Sequence, residues 1–134
     1  MAIDISGRHS VNGRYQMVCA AISARVSPDC IEKIYSVRLV PSVTGSIDLS
    51  TIIDLISTAV LSMPGTVLAE PGDLYNQDAW RISSILGREF KYPETLAERT
   101  SIELAHHTSV AGRRLITDGR EDNNSRRKDN NYGQ

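Results

Sequence analysis

Three groups of side chains stand out for the chemistry their types and spacing allow. Asp4 sits between Ile3 and Ile5 in the run Ala2-Ile3-Asp4-Ile5-Ser6. An acid inside an apolar strand costs stability when unpaired, so this position asks for a compensating cation or hydrogen bond. Glu70 follows the apolar run Thr66-Val67-Leu68-Ala69 and precedes Pro71-Gly72-Asp73, which sets two carboxylates around one turn. Glu103 is followed at three and four residues by His106 and His107, a spacing that lets all three share one face of a helix. An imidazole titrates near neutrality, so either His can move a proton or contact an anion. Gly7-Arg8-His9 places a cation and an imidazole at the end of the first strand, where Arg8 and His9 are candidates for contact with a nucleic-acid backbone. The structural alternatives are a loop acid at Glu70, a surface histidine pair on the helix and a solvated hairpin end at Arg8 and His9.

Several better-known chemistries lack their residues. Glu-x-x-His is half of a di-iron bundle motif, but no second copy is present. There is no His-Glu-x-x-His, no Cys-x-x-Cys and no Gly-x-x-x-x-Gly-Lys-Ser/Thr, which removes zinc proteases, zinc fingers and P-loop nucleotide enzymes. Lys and Arg number 15 against 16 Asp and Glu, so any nucleic-acid contact must use a local basic face rather than overall charge.

The elements that would position these groups follow from pattern and length. At 134 residues, 40% apolar and 23% charged, the chain has the composition of one globular domain. Ala2 to Ser6 reads as a short strand. Asn12-Gly13 is a hairpin signal leading into a strand over Arg14 to Val26, apolar on both faces and therefore central. Ser27-Pro28-Asp29 turns the chain into a third strand, Ile31 to Val40, which Pro41 is expected to end. Asp48 caps a helix with apolar positions at Leu49, Ile52, Ile53, Ile56, Ala59, Val60 and Met63, stopped by Pro64-Gly65. A brief buried strand at 66–69, a helix from about Asn76 to Leu86 with Trp80 packed in its core, a short strand at Phe90-Lys91-Tyr92 and a long helix from Glu94 to about Ile116 complete the order. Residues 118–134 are too polar to pack and are expected to form a disordered tail after a domain spanning 1–117. Cys19, expected opposite about residue 37, lies too far along the hairpin from Cys30 for a disulfide, so both are expected as free, buried thiols. No apolar run reaches the roughly 20 residues of a membrane span and no secretory pattern opens the chain, so a cytoplasmic location is expected.

Three antiparallel strands followed by helix, strand, helix, strand, helix imply an α/β domain with a mixed five-stranded sheet, its parallel strands joined by right-handed crossovers. That order resembles the ribonuclease H-like superfamily, which includes ribonucleases H, junction-resolving nucleases and transposases. Asp4-Ile5-Ser6-Gly7-Arg8 is similar to the Asp-x-x-Gly-Arg opening of type 2 ribonucleases H, with Ile5 where those carry a second acid. The resemblance implies a metal-binding carboxylate set of Asp4 in the first strand, Glu70 at the end of the fourth and Glu103 on the last helix, with Asp73, Glu98 and Glu94 as rivals. The first helix offers only Asp54 as an interior acid where ribonucleases H proper use a Glu. The chain also resembles a small archaeal family of this type, a likeness that implies no activity.

The resemblance therefore implies a nuclease dependent on Mg²⁺ or Mn²⁺, hydrolysing phosphodiester bonds of DNA or RNA. Hard dications take oxygen ligands, and a pair of them can stabilise both the attacking and the leaving oxygen of an in-line displacement. Asp4, Glu70 and Glu103 would hold metal, His106 or His107 would assist proton transfer, and Arg8 and His9 would hold phosphate. Junction-cutting members act as dimers, which extends the expectation to a homodimer. The competing expectation is a non-catalytic nucleic-acid-binding or assembly module on the same scaffold.

Overall fold

A computed structural model describes residues 1–118; residues 119–134, most of the expected tail, lie outside the described residues. The fold is mixed α/β. β1 (Ala2–Ser6), β2 (Ser10–Val11), β3 (Arg14–Val26) and β4 (Ile31–Thr44) precede α1 (Leu49–Ala59), β5 (Val67–Leu68), a 3-10 turn (Pro71–Leu74), α2 (Ala79–Leu86), β6 (Phe90–Lys91) and α3 (Leu96–Arg113). One π-turn, Arg114–Asp118, continues α3.

β3 is the spine of the sheet. One of its edges is paired antiparallel with β4 along almost its whole length, and the other with β1 over Val18 to Ile22 and with β2 over Arg14 and Tyr15. β5 then adds to β1, and β6 to β5, both in parallel. Asn12 and Gly13 both have positive φ, the geometry that lets a two-residue hairpin follow the twist of its strands.

Two departures from the sequence expectation concern β4. It runs through Pro41 to Thr44, because β4 is an edge strand and a residue without an N–H is tolerated at an edge. Two irregularities, between Ser23 and Ala24 and between Arg25 and Val26, each add a residue on the β4 side, so Cys19 faces Val40 rather than a position near residue 37. Both thiols are free, Cys19 buried and Cys30 exposed rather than buried. Burial, with Asp4 and Asp73 nearby, pushes the Cys19 thiol up to about 12 and keeps it protonated.

The centre of the sheet is covered on both faces, whereas β4 is mostly exposed. Ile3, Ile5, Met17, Cys19 and Ala21 pack against Ile52, Ile53 and Ile56 of α1 and Ile82 of α2. Ala2, Ile22 and Leu68 pack against Ile102 and Ala105 of α3. α1 is held at its start by the Asp48 carboxylate, which accepts from Thr51 N at 2.8 Å. α2 begins at Ala79 rather than near Asn76, because Tyr75 and Asn76 both take left-handed backbone after the 3-10 turn. Its Trp80 is 71% exposed rather than packed in the core. α3 opens with a capping box, Thr95 and Glu98 each accepting from the other's backbone N–H. Among the described residues no helix is long and apolar enough to cross a membrane.

Candidate functional site

Alternation along β1 decides where Asp4 points. Ile3 and Ile5 turn to the α1 side, so Asp4 turns with Ala2 and Ser6 to the α3 side, opposite Ala20 of β3. α3 crosses this face with Ile102, Ala105, Ser109 and Gly112 buried. Ala105 and Gly112 are small, which brings the helix close to the sheet; a Cβ on Gly112 would stand 2.8 Å from the Leu39 side chain of β4. In that close approach Ser109 Oγ donates to Asp4 Oδ2 at 2.6 Å and His106 Nδ1 stands 3.3 Å from the same oxygen. Asp4 is only 7% exposed, so these two groups answer the demand that its placement in an apolar strand creates.

The chain beyond β5 supplies the opposite wall. Ala69 is buried, Glu70 emerges, and the 3-10 turn carries Asp73 back toward β1. Arg8, just after β1, donates from Nη1 to the Asp73 backbone carbonyl at 2.9 Å and to Asp73 Oδ1 at 3.1 Å, with its guanidinium 5.3 Å from the Tyr75 ring centroid. Asp73 Oδ2 is buried and has no hydrogen-bond partner. Asp4, Glu70, Gly72, Asp73, Arg99, Ile102, Glu103 and His106 together line one open cleft of about 550 Å³.

Of the residues singled out in the sequence, this cleft gathers Asp4, Glu70, Glu103 and His106, together with the rival Asp73. His107 is exposed, meets His106 edge-on with ring centroids 5.5 Å apart, and does not line the cleft. Glu98 belongs to the α3 cap, where backbone hydrogen bonds and Lys91 at 2.9 Å outweigh its desolvation and hold its carboxyl down at about 2. Glu94 is exposed at the helix start, and Asp54 opens into a separate cavity between β4 and α1. Arg8 is engaged by Asp73, while His9 lies in another cavity with Arg113 and Arg114. Sequence reasoning missed Ser109 and Arg99. Ser109 reads as one more position in the packing stripe of α3; the signal was a hydroxyl three residues after His106 on the buried side of the helix.

Among the described residues, no three His, Cys, Asp or Glu side chains stand together as a ready-made metal cage. The carboxylates share a cleft without sharing a point. Asp73 records the electrostatic consequence. Burial first, and the Asp4 carboxylate second, outweigh the pull of Arg8 and push its carboxyl up from 3.8 to about 6. Between about pH 4 and pH 6 the folded protein therefore keeps a proton that the unfolded chain has released. Folding stability in metal-free buffer should fall as pH rises through this window, by an amount on the order of 2–3 kcal/mol. Asp73→Asn should remove that decline, which urea midpoints of the two proteins across the window will measure. Identical pH dependence in both would refute the account of Asp73.

Residues 1–117 match the family described as "Uncharacterized protein conserved in archaea (DUF2209)". The chain is 29% identical over 119 residues to "Uncharacterized protein MJ0095" of Methanocaldococcus jannaschii, an alignment covering 87% of this chain and 94% of that protein. No solved structure matches the chain. The family match runs from Met1, just before β1, through α3 and so includes every residue of the cleft, and this chain belongs to that archaeal family.

Proposed function

We propose that this protein is a divalent-metal-dependent phosphodiester hydrolase acting on DNA or RNA, built on a ribonuclease H-like scaffold. The observation that carries the reading is that Asp4, Glu70, Asp73 and Glu103, from a central strand, a strand end, a turn and a helix, line one cleft. The spatial order β4-β3-β1-β5-β6, with an antiparallel trio and two parallel additions, supports the scaffold.

The residues present fit a hard dication in one respect. Asp73 Oδ2 is buried, unpartnered and close enough to Asp4 to feel its charge. A bound Mg²⁺ or Mn²⁺ would relieve both conditions. Mg²⁺ is commonly held by one or two carboxylates plus substrate phosphate rather than by an all-protein cage, so Asp4 and Asp73, with Glu70 or Glu103, suffice as its protein ligands. When bound, the ion supplies Lewis-acid polarisation of the phosphoryl group and activation of water. Ser109 and His106 hold the Asp4 carboxylate in place from the α3 side. With Nδ1 of His106 facing Asp4, its Nε2 is left to carry a proton to or from a substrate oxygen.

The second reading, a nucleic-acid-binding or assembly module without catalysis, is favoured by one observation: the acids do not converge on a single point among the described residues. Two measurements separate the readings. Calorimetric titration with Mn²⁺ should show binding with a Kd below about 1 mM, and purified protein with Mn²⁺ should cut a single-stranded, duplex, hybrid or branched nucleic acid. No heat and no cutting across that panel would leave the binding module as the surviving reading.

A further inference from the structure

A cleft lined by four carboxylates repels the polyanion it is proposed to cut; Arg99 is the arginine that lines it, and Arg8 nearby is engaged by Asp73. One lining arginine against four acids leaves most of the positive charge for the substrate backbone to another part of the surface. A second cavity, of about 290 Å³, lies where β1 turns into β2 against the end of α3. His9, Arg113 and Arg114 line it, together with Gly7 and Val110, and among the described residues no acid does. Arg113 is seated rather than loosely extended: its Nε donates to the Gln16 carbonyl at 3.1 Å, and its guanidinium crosses so close over Gly7 that a Cβ there would stand 2.6 Å from Nε.

The two cavities lie along one side of α3. Arg99, Glu103 and His106 border the acidic cleft, and Val110, Arg113 and Arg114 border the basic one. Steps of four, three, four and three residues keep Arg99, Glu103, His106, Val110 and Arg113 on a single helical stripe. The seven residues from His106 to Arg113 cover roughly 10 Å at 1.5 Å per residue. Consecutive phosphates of one strand are farther apart than the roughly 3.4 Å rise of the duplex axis, because they also wind around it, so that distance corresponds to about one or two nucleotides.

We propose that His9, Arg113 and Arg114 form a phosphate-binding track for the sugar–phosphate backbone of the substrate strand, about one or two nucleotides from the phosphate held in the acidic cleft. The track rests on the hydrolase reading for its substrate class, but it binds without metal and without chemistry. It orients the strand along α3, holding the polyanion where charge favours it and presenting its next phosphates to the carboxylates.

The test is fluorescence anisotropy with a labelled oligonucleotide, as single strand and as duplex, in EDTA over a series of salt concentrations. Wild type should bind one or both forms with a clear salt dependence. Arg114→Gln should weaken binding roughly fivefold at low salt and lower the slope of log K against log salt by about one, with a larger loss in the His9→Gln/Arg114→Gln double variant. Arg81→Gln, an exposed arginine on α2, should leave both unchanged. Equal affinity and slope in wild type and the double variant would overturn the track, and if wild type still cuts with Mn²⁺ the hydrolase reading survives that result. Selective loss of binding in the double variant, with no cutting by wild type, would support the track and sink the hydrolase. Wild type that binds neither oligonucleotide at low salt in EDTA would overturn the track, and cutting with Mn²⁺ decides the hydrolase reading separately.

Discussion

Asp4→Asn is expected to lower metal-dependent cleavage by about a thousandfold or more, equivalent to about 4 kcal/mol of lost transition-state stabilisation, while leaving the protein folded and at least as stable in metal-free buffer. The substitution changes charge and almost nothing else. The Asn carbonyl oxygen can still accept from Ser109 Oγ, so the contact that joins β1 to α3 persists. What disappears is a 93%-buried anion, which is costly to keep in the fold and necessary to hold a dication. Removing it also withdraws one of the causes that raise the Asp73 carboxyl, so Asp73 should ionise at lower pH in the variant. Cleavage rates with Mn²⁺, urea unfolding in EDTA and the pH profile of stability read the three effects separately. Cutting by the Asn variant at the wild-type rate would remove Asp4, and with it the hydrolase reading, whatever the stability result.

Replacing Gly7 by Ala should destabilise the fold by at least about 3 kcal/mol, made up of the left-handed backbone penalty of about 1–2 kcal/mol and an overlap that cannot relax cheaply. Gly7 has φ +84, and a Cβ there would stand 2.1 Å from the Gln16 carbonyl oxygen, a backbone atom fixed in β3. Gly13 is the control. Its φ of +75 is similar, but a Cβ there meets nothing within 4 Å, so Gly13→Ala should lose only the backbone penalty, about 1 kcal/mol. Urea denaturation of the two variants tests the difference, and equal losses would show that the β1–β3 approach is less tight than described. Because Arg113 crosses the same spot, Gly7→Ala should also weaken oligonucleotide binding in whatever fraction remains folded.

The sequence was legible where one pattern had one physical cause. Asn12-Gly13 fits few backbones other than a tight hairpin, Asp48 before an apolar helical stripe fits an N-cap, and the two apolar faces of β3 require cover on both sides. It was less legible where a residue's meaning depends on its neighbours in space. Pro41 marks a strand end in a central strand and is harmless in an edge strand, and only the pairing of β4 decides between them. Trp80 carries a large apolar surface, yet α2 directs Ile82 inward and leaves Trp80 in solvent. At the site, Asp4 could be chosen from its apolar flanks, and Glu70 from its place after a buried run. The pairing of Arg8 with Asp73 joins residues 65 apart, and the Ser109 hydrogen bond to Asp4 joins residues 105 apart. Neither leaves a local trace, because a serine on a packed helix and an arginine after a strand are commonplace.

The sheet has two unequal halves, and the proposed metal ligands are divided between them. Asp4 stands in a strand bonded antiparallel to β3 at five consecutive positions, whereas Glu70 and Asp73 follow a two-residue strand joined to β1 through the single pair Ala2–Leu68. The stiff half therefore fixes one jaw, and the compliant half carries the other. An ion that drew the turn at 70–73 toward Asp4 would strain few ladder hydrogen bonds, and the resistance would come instead from the two Arg8 contacts to Asp73 and the buried side chain of Leu74.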